Sequence, residues 1–370
     1  MPALALLSVG LWLLMRPAEP GLLAVAGMAL LTAFGLTPFV RLVALRAGAV
    51  DHPDARKRHA SPTPKLGGVA VIAAFVLVMG QRPLLDRQIL SVGVSALVLM
   101  LAGAIDDSRG LSATLRLLLQ VACAAIVIGS GVRMHLVPGP AGTAANVALS
   151  IFWIVGITNA YNFIDGIDGL ATSLGALIAL LLTLSARGAA QPVLASVCAI
   201  LAGALLGFLP YNLRRGKPAS IFLGDSGSAS VGFLLAALAI KQDWAGGDPL
   251  IALAAPVLIF SVLIYDMIRT TATRIASGRV RSFREWIDYV GRDHIHHRFS
   301  DLLGGPRPAL VLILALALGL GLSALGLRRG APGDALIFLV HGALILLVVA
   351  VLEEAAIRRR SRQSGRARRG

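Results

Sequence analysis

Of 370 residues, 56% are apolar and only 14% charged, a balance that excludes a soluble globular domain and reads as one integral-membrane unit rather than two soluble domains. The net charge of +15 would raise nucleic acid as a partner, but the basic residues lie between apolar runs and in a short tail, with no aromatic-interleaved basic domain, so no nucleic-acid partner is expected. The two cysteines, Cys123 and Cys198, sit inside apolar runs and support neither a disulfide framework nor a metal site.

Residues 1 to 15 have a signal-like apolar core but no basic leader and no small-residue cleavage site, so they are expected to stay on the chain as a short or interfacial helix, or as a further span. A bilayer core takes about 20 apolar residues per helix and tolerates about 17. On that rule eleven spans are predicted, at 21 to 44, 66 to 80, 89 to 105, 113 to 131, 148 to 160, 169 to 186, 192 to 210, 221 to 240, 249 to 268, 308 to 327 and 335 to 353. The expected fold is therefore an all-α, polytopic membrane bundle of about eleven transmembrane helices, a single domain over 1–370. Its motifs lie between 51 and 299 and a basic tail follows at 356–370.

Alternating the loops leaves only eight of the 34 Lys and Arg residues on one face, so the other face, which includes the tail, is predicted to be cytoplasmic. The tail reads as an anchor to anionic headgroups. Every polar cluster falls on that same cytoplasmic face. The first is DHPDARKRHASPTPKLGG (51 to 68), where Lys57, His59 and Lys65 read equally as positive-inside anchoring or as a phosphate-contacting loop. Next come Asp106 and Asp107, adjacent acids at the end of an apolar run; they suit a cation, and the plainer alternative is a helix-end pair facing water.

In NAYNFIDGIDG (159 to 169), Asp165 and Asp168 are three apart and would share a face in a helical turn, with Asn159 and Asn162 supplying amides beside them. In GDSGS (224 to 228), Asp225 stands near a helix N-terminus, either as an N-cap or as a magnesium ligand completed by substrate phosphates. HIHHR brings His294, His296, His297 and Arg298 into a basic loop that suits an oxyanion better than zinc. Acids at the membrane edge inside basic loops fit metal-assisted chemistry at phosphate, with one polyanionic substrate and one held in lipid. A transporter would instead place its charges across membrane depth.

The ordered set DHPDARKRHASPTPKLGG, IDD, NFIDGIDGLA, FLGDSGS and HIHHR resembles the polyprenyl-phosphate N-acetylhexosamine-1-phosphate transferases, over roughly residues 30 to 300. The resemblance implies transfer of a sugar 1-phosphate from a UDP-N-acetylhexosamine to undecaprenyl phosphate at the bacterial inner membrane, as the first membrane step of a cell-surface polysaccharide. Magnesium would be the cofactor, with manganese as its substitute, and a homodimer is the expected assembly. Carried over, Asp225 matches the metal ligand, with Asp107 as a second. Asp106 matches the carboxylate that deprotonates or positions the lipid phosphate, and Asp165 and Asp168 match further acids of the catalytic cleft. Phe222 matches an aromatic that stacks on uracil, Asn212 a nucleotide-contacting amide, and His294, His296, His297 and Arg298 the loop that contacts sugar and diphosphate. The order His-Ile-His-His-Arg resembles the UDP-GlcNAc branch, with the muramoyl-pentapeptide branch of peptidoglycan synthesis as the alternative.

Overall fold

The computed structural model describes residues 21–51, 62–81, 86–244, 248–282, 285–286, 289, 291–327, 330 and 332–367, with side-chain detail ending at residue 355. Lys57, His59, residues 1 to 15 and the side chains of the basic tail lie outside what is described. One short antiparallel pair, β1 (Val50–Asp51) with β2 (Thr63–Pro64), is the strand content of the described residues. The helices run in chain order as α1 (Leu22–Arg46), α2 (Gly67–Gly80), α3 (Arg87–Arg109), α4 (Ala113–Gly129), α5 (Gly139–Ile164), α6 (Leu170–Gly188) and α7 (Pro192–Asn212). They continue as α8 (Gly224–Lys241), α9 (Pro249–Ile259), α10 (Ser261–Ala276), α11 (Ile295–Leu302), α12 (Pro306–Leu327) and α13 (Pro332–Ala367).

Each predicted span falls on a helix, the ninth on the bent pair α9–α10. Among the described residues, seven helices are long and apolar enough to cross a bilayer, or eight if the bent pair is one span; α2 and α4 are shorter apolar helices. The chain is thus an all-α, multi-pass membrane protein, and eleven is its number of predicted apolar segments rather than of crossings met by length.

Two departures from the predicted boundaries have local causes. Helix α5 starts at Gly139, well before 148, because the polar Asn146 is satisfied in place. Its Oδ1 accepts from the Leu136 and Val137 amides (both 3.0 Å) and its Nδ2 donates to the Val137 carbonyl (2.9 Å). The α9–α10 pair bends by 76°, four residues after Pro256, which lacks the N–H a helix interior needs.

Helices α6 and α7 are the most enclosed spans, whereas α13 turns most of its apolar surface outward, as a lipid-facing helix does. The bundle has two polar ends. At one, Lys241 Nζ bridges Asp86 (3.4 Å) and Gln88 (2.5 Å). The other gathers Asp106, Asp165, Asp225 and His294, the same-face placement that the alternating spans predict.

Candidate active site

The GDSGS turn is held by its neighbours. The Phe222 amide donates to the Pro64 carbonyl (2.8 Å), and the Gly67 and Gly68 amides donate to Phe222 and Leu223 (2.9 and 2.7 Å), so residues 64–68 run alongside 222–223. This fixes the backbone of Phe222, a half-buried residue. Gly224 adopts φ 75°, and a Cβ there would lie 1.9 Å from the Lys65 carbonyl oxygen, so the turn needs glycine both for its conformation and for its space. Lys65 is half-buried, its ammonium close enough to Asp107 to interact electrostatically.

Asp107 caps α8 from another helix. Its Oδ1 and Oδ2 accept from the amides of Asp225 (3.1 Å) and Ser226 (3.0 Å), which satisfies two orphan donors and sets a negative charge at the positive end of α8. The N-cap role that the sequence allowed Asp225 is thus filled by a residue of α3. That frees the Asp225 carboxylate, whose Oδ1 accepts from Asn162 Nδ2 (2.7 Å); the same amide donates to Ser228 Oγ (2.7 Å).

Asp165 follows α5 as its C-terminal cap, beside the start of α8. Burial first, then the charges of Asp225, Asp107 and Asp168, push its carboxyl up to about 7, against a hydrogen bond from the Gly224 backbone. Its folded pKa exceeds its unfolded one, so this term stabilises the cation-free protein at low pH and is lost as pH rises through about 7. A divalent cation reverses the sign by favouring the ionised form. Cation affinity, read by isothermal titration, is expected to rise between pH 6 and pH 8 and then level off; a flat profile would contradict this.

Asp165 and Asp168 do not share a helical face, because 165–169 is a turn. Asp168 Oδ2 accepts from the Ala219 amide (2.8 Å) and pins the 213–223 loop. Asn212 lies beneath that loop: Oδ1 accepts from the Gly169 amide (3.1 Å) and Thr172 Oγ1 (2.8 Å), and Nδ2 donates to the Ile221 carbonyl (3.2 Å). Both residues are placed to shape the site, and both Asn212 amide atoms have internal partners.

Asp106 accepts from the Leu111 amide (2.6 Å) and pairs with Arg116 (2.8 Å), which is 42% exposed. These two border a groove of about 360 Å³ whose polar end holds Asp106, Arg116, Gln120, Asn159, Asn162 and Asp225. Its apolar lining includes Leu117, Ile151 and the 78%-exposed Phe152, which lies midway along α5, a helix long enough to cross a bilayer. Asn159 and Gln120 are clamped together, Asn159 Nδ2 donating to Gln120 Oε1 (2.6 Å).

The histidine motif packs against Phe163 and Gly166. His294 stacks on Phe163, a groove residue (5.0 Å between centroids), and His296 sits so close to Gly166 that a Cβ there would be 1.9 Å from its Nε2. His297 stacks obliquely on His296 (4.1 Å). Asp266 Oδ2 is 2.7 Å from His294 Nδ1, and Arg274 Nη2 is 3.3 Å from Nε2; since Arg only donates, the proton belongs on Nδ1. Arg274 forks onto Asp293 (2.8 and 2.8 Å); burial raises that carboxyl, but the Arg274 bonds and charge hold it below its usual range. Arg298 is turned away from the groove toward Asp266 (3.6 Å) and Glu353 (3.3 Å).

Sequence reading missed Asp266, Arg274, Gln120 and Glu353, and saw Arg116 only as a span end. For Asp266, Gln120, Arg116 and Glu353 the available signal was an ionisable or amide side chain inside a predicted apolar span, whereas Arg274 lies beyond the span predicted at 249 to 268.

Among the described residues no three His, Cys, Asp or Glu side chains converge as a ready-made ion cage. Magnesium asks for less: one or two carboxylates, with water and phosphate completing the shell. Asp225, with Asp107 against the same turn and Asp165 alongside, offers that all-oxygen set, and a cation there would favour the ionised form of the Asp165 carboxyl, which burial first and the neighbouring acids second push up.

The glycosyl transferase family 4 model matches residues 89–243. A decaprenyl-phosphate N-acetylglucosaminephosphotransferase of Mycolicibacterium smegmatis is 33% identical over 366 residues, 89% of this chain and 88% of the relative. A probable undecaprenyl-phosphate N-acetylglucosaminyl 1-phosphate transferase of Bacillus subtilis is 31% identical over 278 residues, 73% of this chain and 75% of the relative. A phospho-N-acetylmuramoyl-pentapeptide-transferase of a Synechococcus strain is 31% identical over 299 residues, 73% and 78% of the two chains.

Proposed function

The chain belongs to glycosyl transferase family 4, and from that premise we propose that it transfers GlcNAc-1-phosphate from UDP-GlcNAc to undecaprenyl phosphate, releasing UMP. The observation that carries this reading is the groove that joins the Asp225 site to the lipid-facing surface. A prenyl tail can lie along Leu117, Ile151 and Phe152 while its phosphate meets Arg116 beside Asp106, and a soluble nucleotide sugar enters from the polar end.

In the reaction a phosphate oxygen of the lipid attacks the β-phosphorus of the UDP-sugar, and the bond from that phosphorus to the bridging oxygen breaks, leaving with UMP. A phosphate monoester has a second pKa of about 6, so the attacking oxygen is already ionised at neutral pH. Asp106 therefore serves better by holding Arg116 toward the lipid phosphate than by removing a proton. Asp225 and Asp107 would hold magnesium, which supplies charge neutralisation on the diphosphate. Asn162 fixes the Asp225 carboxylate, and His296 and His297 line the donor's side of the site. The motif end faces the cytoplasm, where the loops are basic.

Arg116→Ala is expected to raise the KM for polyprenyl phosphate by about tenfold, the value of one charge-assisted contact, with the UDP-GlcNAc KM little changed. An unchanged lipid KM would place the acceptor elsewhere.

The function is tested by UMP release from the purified protein in detergent with undecaprenyl phosphate, Mg²⁺ and UDP-GlcNAc, beside UDP-GalNAc and UDP-MurNAc-pentapeptide. Turnover with UDP-GlcNAc that EDTA abolishes is the expected result. Turnover with the pentapeptide donor alone would move the chain to the peptidoglycan branch, and none with any donor would refute the reading.

A further inference from the structure

We propose that Glu353, a carboxylate in the last helix, is a positioning residue for the histidine motif of the site, acting through Arg298 and Asp266. The inference rests on the transferase reading above. Glu353 is 3% exposed in a helix that otherwise presents itself to lipid. A buried acid at that place is costly unless something opposite needs its charge.

What lies opposite is the site. Glu353 Oε2 is 3.3 Å from Arg298 Nε and accepts from the Tyr265 hydroxyl (3.1 Å), while its Oε1 is buried with no hydrogen-bond partner among the described residues. Arg298 carries the connection inward: Nη1 donates to the Asp293 carbonyl, and Nη2 lies 3.6 Å from Asp266 Oδ1. Asp266 Oδ1 also accepts from the Ile295 amide (2.6 Å), where α11 begins, and Oδ2 accepts from His294 Nδ1 (2.7 Å). One turn of α11 is therefore held between two acids, one on α10 and one on α13, with Arg298 shared by both.

The arrangement differs from an ordinary surface ion pair in direction as well as burial. Arg269 and Glu354, the neighbouring pair between the same two helices, are both part-exposed (28% and 44%). Glu353 points at the motif. With its charge removed, Arg298 would keep Asp266 as its one close carboxylate and draw it from His294, changing the ring's tilt over Phe163 without touching the Asp225 end.

The test is steady-state kinetics of UMP release by the full chain. Glu353→Gln should lower kcat by about 10- to 100-fold, as loss of an outer partner of a reacting group does, with the UDP-GlcNAc KM within about twofold and the melting midpoint retained. Glu353→Asp should recover part of kcat. Glu353→Gln combined with Arg298→Gln should cost no more than Arg298→Gln alone, since the effect passes through that guanidinium. Should Glu353→Gln fail to fold, Tyr265→Phe removes one hydroxyl facing the same carboxylate and should lower kcat in the same sense. A kcat within about twofold of the parent, or a loss that only tracks the folded fraction, would overturn the proposal. Absence of UMP release from the unaltered chain would refute the transferase reading, and this inference with it.

Discussion

Asp225→Ala is expected to abolish divalent-cation binding and to lower turnover by about 10²- to 10³-fold, while the melting midpoint in detergent stays near that of the parent. The combination follows from what the side chain touches. Its backbone amide, not its carboxylate, is what Asp107 holds, so removing the carboxylate leaves the α8 start capped. The lost partners are one Asn162 hydrogen bond, which Ser228 shares, and the negative charge at the mouth of the groove. Calorimetric titration with Mg²⁺ or Mn²⁺ and a melting curve on the same preparation decide it. A variant that binds the cation normally would remove Asp225 from the metal site; one that fails to fold would make it a structural residue.

Asp107→Ala should show the opposite pattern in stability and a similar one in rate. Both oxygens of this buried carboxylate serve amides of α8, so the substitution orphans two backbone donors at a helix start and is expected to cost about 2 kcal/mol or more. The melting midpoint should fall, and turnover with it by about 10²-fold, because the Asp225 backbone loses its anchor. Asp107→Asn is no rescue: its NH₂ would face one of the two amides it must accept from. A variant with parental melting and parental turnover would show that residues 64–68 alone hold the GDSGS turn. Asp225 and Asp107 are both acids of motifs in the chain, and these two predictions separate them by the duty they do not share: Asp225 brings charge to the groove, and Asp107 also supports the turn that carries Asp225.

The apolar helices could be read from hydropathy because a bilayer imposes one length and one composition on each of them. Boundaries failed where a polar helix residue is satisfied by the segment just before the helix, as Asn146 is, or where a proline precedes a break, as at Pro256. The acids of IDD, NFIDGIDG and GDSGS could be singled out as a group because the alternation of spans puts them on one face. Their separate tasks could not: that Asp107 caps while Asp225 faces the groove depends on a contact across 118 residues. Glu353 could be noticed as an acid inside a predicted span, but its partners could not be read, for the same reason. In sequence it is one of two acids at the end of a lipid-facing helix, and only the fold lays it against Arg298 and Tyr265 while leaving Glu354 part-exposed.

Entry of the acceptor past Phe152 and Leu117, as proposed, has a kinetic meaning. An acceptor that enters and leaves within the plane of the membrane never visits the aqueous phase, so its effective concentration is a mole fraction among the surrounding amphiphiles. Adding empty detergent micelles at constant total lipid phosphate should therefore slow the reaction by surface dilution, while the same addition leaves saturation by the water-soluble donor where it was.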